Sequence, residues 1–273
     1  MQGSGITSAW LEDWITTTKS EEYPFSCAHH RDIEAYDNAA GSLAQMLRES
    51  KSDLARVRKL LQHVRWITPS RLEPPKTIQL RHGDFGEALA IGLIEWSTDY
   101  LVPVVKLRFQ VDKDQSQHGT DIVAFILDET GTAIEGLDFC EVKVRTSRSK
   151  VKGAAVEAHA QLSEDRGASF ADILDFIYQR LDEKNPAWAE ALETYLSERD
   201  DPEGQNRIVV IVDRDLYTED LLTSLPQPPD LCEPLHVDVV HCGKLRDLIA
   251  STWELVPKDL IAGSDGDGAT GPR

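Results

Sequence analysis

Three charged residues stand in stretches that otherwise have the pattern of apolar β-strands. Asp121 begins the run DIVAFIL, and Glu141 and Lys143 alternate with apolar residues in the stretch FCEVKV. Burying an unpaired charge is costly, so the core of a strand normally excludes such residues. Two carboxylates beside an ammonium group could bind a hard cation such as Mg²⁺ and activate water for phosphodiester cleavage. The alternative is a hairpin with an exposed Glu–Lys ion pair of little energetic consequence.

A hairpin would bring these three residues together. Side chains alternate between the faces of a strand, so Glu141 and Lys143 share one face while Cys140 and Val142 take the other. The short turn ETGT between the two stretches favours antiparallel pairing. We therefore expect Asp121, at the start of the first strand, to lie beside Glu141 and Lys143 near the end of the second.

The rest of the pattern predicts an α/β chain. Helices are predicted near residues 32–64, 83–96, 154–164, 170–181, 188–198 and 219–225. Strands are predicted at residues 102–112, 121–128, 133–144, 208–213 and 236–242. This order indicates a mixed sheet flanked by helices, with an N-terminal helical layer that ends at the break TPSRLEPPKT. We expect residues 1–80 to form a helical region packed on the core, residues 81–262 the main domain, and residues 263–273 a disordered tail.

The composition excludes several classes of protein. No apolar run approaches the length of a membrane span, and the N-terminal residues lack the pattern of a secretory signal. The four cysteines do not suggest a disulfide framework, so we expect reduced thiols, a cytoplasmic location and no membrane partner. A zinc site at Cys232, His236, His241 and Cys242 is disfavoured, since the two histidines face opposite sides of one predicted strand. The chain has no Walker-type phosphate loop, so we expect no ATP hydrolysis.

The charge distribution is uneven. A formal net charge of −18 argues against a free-standing, tight nucleic-acid binder, because such a surface repels phosphate backbones. One local exception follows the E-x-K segment directly, where residues 145–152 hold four basic residues and no acid: Arg145, Arg148, Lys150 and Lys152. Such a run is as often a solvated face as a binding surface.

The acids and the lysine together resemble the PD-(D/E)XK nuclease superfamily. The matching residues are Glu87 in GDFGE, Asp121 in HGTD, and Glu141 and Lys143 in CEVK. The order of elements over roughly residues 80–245 is also similar to the restriction-endonuclease-like core of that superfamily. The resemblance implies that Asp121 and Glu141 bind Mg²⁺, with Mn²⁺ as a substitute, and that they cleave phosphodiester bonds together with Lys143 and the helical Glu87.

Two positions depart from the pattern of that superfamily. Thr120 stands where the motif name has proline. Some members carry Gln and Tyr four residues apart on the helix after the E-x-K strand. Gln161 matches the first position, but Asp165 stands where the aromatic residue would be.

A closer resemblance is to the nuclease subunit of the Hachiman anti-phage system, which acts with a separate helicase. The spacing of GDFGEALA, HGTDIVAF and CEVKVRTS carries this likeness. It implies a helicase partner that holds the nucleic acid, which fits an acidic chain with only local basic patches. We therefore expect a nuclease, acting on DNA with low sequence specificity, in which Arg145, Arg148, Lys150 and Lys152 contact backbone phosphates.

Two alternatives stay open. The fold could serve as a catalytically inactive nucleic-acid-binding or scaffold module whose acids are structural. The same core could also belong to a nuclease of another restriction or repair system, including one that cuts RNA.

Overall fold

One mixed β-sheet divides the molecule into two layers of helices. The computed structural model describes residues 3–33, 38–61, 72–110, 112–115, 119–168, 170–198 and 204–257. Its strands are β1 (Ile15–Ser20), β2 (Ser26–Asp32), β3 (Ile122–Leu127), β4 (Ile134–Arg145), β5 (Gly204–Asp213) and β6 (Leu235–Cys242). They lie side by side in the order β1-β2-β6-β5-β4-β3. The α/β class and the mixed sheet predicted from the sequence are thus confirmed.

The centre of the sheet is parallel and both of its edges are antiparallel. Strands β4, β5, β6 and β2 pair in parallel, and β3 and β1 add to the two sides in antiparallel orientation. Residues 208–211 of β5 are fully buried between two neighbouring strands. This position accounts for the uninterrupted apolar run IVVIV, because a strand in the middle of a parallel sheet is covered on both faces.

The helices cover both faces of the sheet and form two separate cores. They are α1 (Leu11–Trp14), α2 (Ala39–Lys51), α3 (Leu54–Leu61), α4 (Ile78–Ser97), α5 (Arg148–Val151), α6 (Ala154–Ala168), α7 (Phe170–Lys184), α8 (Pro186–Ser197), α9 (Asp220–Thr223) and α10 (Leu245–Leu255). Helices α1, α2, α4 and α10 pack on one face, and α6 to α9 pack on the other. Among the described residues, no helix has both the length and the apolar character that crossing a bilayer requires.

The prediction of a helical N-terminal region was incomplete. Helices α2 and α3 confirm the predicted helix of residues 32–64 over residues 39–61, with a break at Ser52 and Asp53, whereas Asp32 ends strand β2 and residues 34–37 and 62–64 lie outside the described residues. The preceding residues form the hairpin β1–β2, which joins the sheet beside β6. Its sequences, ITTTKS and SCAHHRD, are too polar to predict a buried sheet strand, and β1 is largely exposed at the sheet edge. The predicted tail at 263–273 lies outside the described residues.

The prediction of a strand at residues 102–112 was wrong. Leu101 makes an isolated bridge to Phe125 of β3, after which the chain leaves the sheet and forms a short 3₁₀ helix at Lys106–Phe109. Pro103 has no N–H group to donate to a neighbouring strand, which disfavours continued pairing. The alternating polar residues Lys106 and Arg108 instead donate to backbone carbonyl groups of other segments.

Candidate active site

The β3–β4 hairpin brings Asp121 and Glu141 together as predicted. The register pairs Ile122 with Cys140, so Asp121, one residue earlier, lies across from Glu141. The Oδ2 atom of Asp121 accepts a hydrogen bond of 2.9 Å from the backbone N–H of Val142. This bond anchors the acid at the end of β3 to the strand that carries the E-x-K segment.

Lys143 lies in the same cluster and has two polar contacts. Its Nζ atom is 2.5 Å from Oε1 of Glu141, and it also donates to the side-chain oxygen of Gln161 on α6. Glu141 is only 5% exposed, and the side chain of Lys143 retains 14% of its accessible surface. The pair is therefore not the solvated surface pair that a purely structural hairpin would carry. The side chain of Asp165 lies outside the described residues.

Glu87 approaches the cluster from α4, on the other face of the sheet. A Cβ atom at Gly86 would lie 2.4 Å from Val144, so glycine allows α4 to pack closely against β4 at this point. The Oε1 atom of Glu87 is buried and has no hydrogen-bond partner among the described residues. Burial and the negative charge of Asp121 raise the pKa of Glu87 well above its ordinary value, and the charge of Lys106 acts in the opposite direction.

The carboxyl group of Asp121 lies in the same electrostatic environment as that of Glu87. Burial raises the pKa of Asp121, while the hydrogen bond from Val142 and the positive charges of Lys106 and Lys143 oppose the increase. Both Asp121 and Glu87 thus hold a proton more tightly than exposed acids do. A cation placed between the carboxylates would replace that proton, because it favours the ionised form.

Sequence reasoning missed Lys106. Its Nζ atom donates to the carbonyl oxygens of Gly119, at 3.1 Å, and Thr120, at 2.7 Å, immediately before Asp121. The strand predicted at residues 102–112 did not single out this lysine. Its position beside a motif acid depends on the 3₁₀ helix and has no local sequence signal.

A buried ion pair lies behind Glu87 and was also missed. The Nζ atom of the fully buried Lys51 is 2.5 Å from Asp84 on α4 and 2.9 Å from the side-chain oxygen of Gln110. Burial raises the pKa of Asp84, and the charge of Lys51 opposes that shift. Lys51 lies at the end of α2, and Asp84 lies one helical turn before Glu87. Nothing in the sequence near either residue indicates that the two form an ion pair.

These groups line one cavity of about 440 Å³. Its polar lining includes all four predicted catalytic residues and several of the residues that sequence reasoning missed: Asp84, Glu87, Lys106, Gln110, Asp121, Glu141, Lys143 and Gln161. A cavity with convergent polar groups and perturbed carboxyl pKa values is the usual setting of an active site.

The donor set fits a hard cation that the protein coordinates only in part. Asp121 and Glu141 offer adjacent carboxylate oxygens, and the unpaired Oε1 atom of Glu87 lies in the same cavity. Within the described part of the chain, no three His, Cys, Asp or Glu side chains form a complete metal-binding group. Magnesium is commonly held by one or two carboxylates, with water and substrate phosphate completing its shell. The residues present therefore suit Mg²⁺ better than a cation that requires a closed protein cage.

The four predicted phosphate-binding residues differ in their surroundings. Arg145 pairs with Glu157 on α6, and Lys152 lies 3.3 Å from Asp220. Arg148 and Lys150, on α5, are exposed. The structure thus leaves only part of the basic run available to a ligand.

The two histidines of β6 face opposite sides of the sheet, as expected. His236 lies 3.0 Å from Asp238 on the face covered by α4 and α10, and His241 lies 3.0 Å from His29 on the other face. One zinc ion could not bind both histidines without reorganising the strand.

The fold and the site define an α/β protein with an acid–lysine cluster at the end of a β-hairpin. The family model HamA matches residues 6–230 of the chain. The chain therefore belongs to the HamA family and is a component of the Hachiman anti-phage defence system. No curated protein matches it. The match includes the N-terminal hairpin, beyond the region that the motifs cover, and ends before β6.

Proposed function

We propose that this HamA family member is a Mg²⁺-dependent nuclease that degrades nucleic acid during anti-phage defence. The observation that supports it most directly is the convergence of Asp121, Glu141 and Lys143 in one cavity. The resemblance of these residues to the PD-(D/E)XK motif supports the same activity. The cytoplasmic location expected from the sequence remains a prediction.

Each residue of the cluster has a role that follows from its surroundings. Asp121 and Glu141 would hold Mg²⁺, or Mn²⁺ in its place. The bound cation would acidify a water molecule and offset the charge that develops on the phosphate. Lys143, fixed between Glu141 and Gln161, would orient that water or stabilise the additional negative charge of the transition state. Glu87, whose raised pKa means that it binds its proton more tightly than an exposed acid does, would ionise more readily once a cation is bound beside it.

The proposed substrate is DNA, cut with low sequence specificity. Arg145, Arg148, Lys150 and Lys152 are candidates for backbone contacts, which position a strand without identifying its bases. The net charge of −18 makes tight binding by the chain alone unfavourable. A helicase partner that delivers the strand would overcome this repulsion, and its presence in the same defence system is part of the proposal.

The test is cleavage of plasmid DNA by the purified chain, alone and with its co-purified partner, in Mg²⁺ and in EDTA. We expect cleavage only with the metal, and a loss of at least about 100-fold in Glu141→Gln and Lys143→Met, because each removes a group that acts in the transition state. Lys19→Gln removes an exposed charge on β1, at the opposite edge of the sheet, and should cleave normally. Thermal unfolding of each variant separates lost chemistry from lost folding.

Survival of both cleavage and phage protection in the Glu141 and Lys143 variants would contradict the proposal. That result would favour the inactive binding or scaffold module. Digestion of RNA in place of DNA under the same conditions would keep the chemistry and correct the substrate.

A further inference from the structure

A second cavity of about 280 Å³ continues from the candidate active site. The two cavities share the lining residues Gln79, Gly83, Val142 and Lys143. They therefore adjoin along these residues, and we call the two together the groove, with the acid cluster in one part. The second part, which we call the basic arm, is lined by residues of α4, the end of β4, α5 and α10.

The basic arm has an unusual charge for this protein. The chain has 47 acidic and 29 basic residues, yet none of the described residues that line the basic arm is acidic. Its basic residues come from three places in the fold: Lys143 and Arg145 on β4, Lys150 on α5, and Arg246 on α10. Basic residues gathered in one groove strengthen the positive potential there. The groove therefore attracts anions, even though the net charge of the protein repels them.

Two of these basic side chains are available to a ligand. Lys150 and Arg246 are exposed, and neither forms an ion pair within the described residues. By contrast, Glu157 engages Arg145, and Glu141 engages Lys143. Burial and the positive charge of Arg246 lower the pKa of the neighbouring His82, which is consistent with a positive potential in this part of the groove.

The remaining lining suits a polymer with alternating phosphate and apolar parts. Thr146 and Ser147 offer hydroxyl and backbone groups beside the two free cations. Ile78, at the start of α4, is 50% exposed, and the only other exposed large hydrophobic residue among those described is Ile33, at 40%. An exposed apolar side chain at the mouth of a basic groove can contact a sugar or base while the cations bind phosphates.

We propose that the basic arm binds the phosphodiester backbone of the nucleic-acid strand on one side of the cleavage site, with Lys150 and Arg246 as phosphate-binding residues. This inference rests on the proposed function. Arg246 is more than ninety positions from the basic run in sequence and lies beyond the residues that match the family model. Only the packing of α10 beside α4 brings it to the groove.

The test is direct binding of a fluorescein-labelled single-stranded oligonucleotide to the full chain, measured by fluorescence anisotropy in EDTA over a series of salt concentrations. Removing one phosphate contact should reduce the slope of log affinity against log salt by about 0.7. Arg246→Gln and Lys150→Gln should each show this change, with about tenfold weaker binding at fixed salt. Lys19→Gln, which removes an exposed lysine from the opposite sheet edge, should keep the wild-type slope.

The variant Arg246→Lys distinguishes the loss of a phosphate contact from a local folding defect. This variant keeps the charge, so it should recover most of the affinity and slope if Arg246 binds phosphate. The inference is overturned if Arg246→Gln and Lys150→Gln behave like Lys19→Gln, or if the wild-type chain shows no salt-sensitive binding.

Cleavage assays in Mg²⁺ separate this inference from the proposed function. Arg246→Gln should raise KM with little change in kcat, because it loses binding common to the ground and transition states. Binding with the expected slopes but without cleavage supports the basic arm and contradicts the nuclease. Cleavage by Arg246→Gln with a wild-type KM contradicts the basic arm and leaves the nuclease intact.

Discussion

Strand β4 carries buried acids in two different settings only three residues apart. Asp138 belongs to an ion network in the middle of the sheet, where Arg207 bridges it to Asp238 with two contacts of 2.6 Å. Asp238 also accepts from His30 at 2.8 Å. Although burial alone would raise the pKa of Asp238, these hydrogen bonds and charges hold it well below its usual range. Glu141, in the cavity, instead shares its surroundings with other acids.

The contrast lies in what the protein itself supplies to each acid. In the network, an arginine and two histidines stabilise the ionised form of Asp238. In the cavity, the pKa of Glu87 is raised and its Oε1 atom has no partner among the described residues. Asp238 is satisfied by groups of the protein itself, whereas Glu87 keeps an unpaired carboxylate oxygen that could bind a group from outside. This difference separates the two carboxyl groups more clearly than burial does, since Oε1 of Glu87 is buried as well.

The largest expected effect concerns the network. Arg207→Met would leave Asp138 and Asp238 buried without their shared counter-charge, and Oδ1 of Asp138 already lacks a hydrogen-bond partner among the described residues. Breaking a buried ion pair in this way costs about 3–5 kcal/mol. Urea unfolding should show this loss, whereas Arg31→Met, which removes an exposed arginine from β2, should change stability by less than about 0.5 kcal/mol. Equal stability of the two variants would show that the network is not structural.

An intermediate effect is expected at Lys106, which acts on the cavity without being a motif residue. Lys106→Met should loosen the backbone before Asp121 and remove a charge that favours its ionised form. We expect the Mg²⁺ concentration for half-maximal cleavage to rise about 10- to 100-fold, as for residues that orient metal ligands. Lys113→Met removes a charge from the same connecting segment without lining the cavity and should leave the metal requirement unchanged. An unchanged requirement in Lys106→Met would exclude the positioning role.

The smallest expected effect is a gain in the free energy of unfolding when Glu87 is replaced. This effect is also the one most specific to the comparison. Its folded-state pKa is raised, so the folded chain binds the proton more tightly than the unfolded chain, and stability falls as pH rises above about 4.3. Glu87→Gln does not ionise and should be about 0.5–2 kcal/mol more stable than wild type at pH 8 in EDTA. The difference should shrink as the pH is lowered to about 5. Denaturant unfolding at both pH values measures it, and a gain independent of pH would contradict this explanation.

The sequence was sufficient to predict the motif residues and their meeting point. The alternation in FCEVKV placed Glu141 and Lys143 on one face, and the short turn before it predicted the hairpin that brings Asp121 alongside. Both inferences depend on local periodicity and chain connection, which a sequence contains directly. Gly83–Trp96 was likewise predicted as a buried helix, and α4 confirms it.

The elements that sequence reasoning missed are those specified by distant partners. Strands β1 and β2 are polar, and their hairpin joins the sheet because β2 pairs with β6, about 200 residues later in the sequence. Lys106 and Arg246 reach the groove only because a 3₁₀ helix and α10 pack beside it. The β-branched run ITTT was the one local signal that could have indicated β1. Nothing local distinguishes Arg246 from an ordinary surface arginine.

The parallel pairing of β2 with β6 has a consequence for how the protein is made. The hairpin at residues 15–32 leaves the ribosome early, but its neighbour at Leu235–Cys242 is among the last described segments to emerge. Until then, β2 and β5 each present an open edge of unpaired N–H and C=O groups. A nascent or prematurely terminated chain would thus carry the acids of β3 and β4 without the finished sheet behind them, because the sheet is completed only late in synthesis.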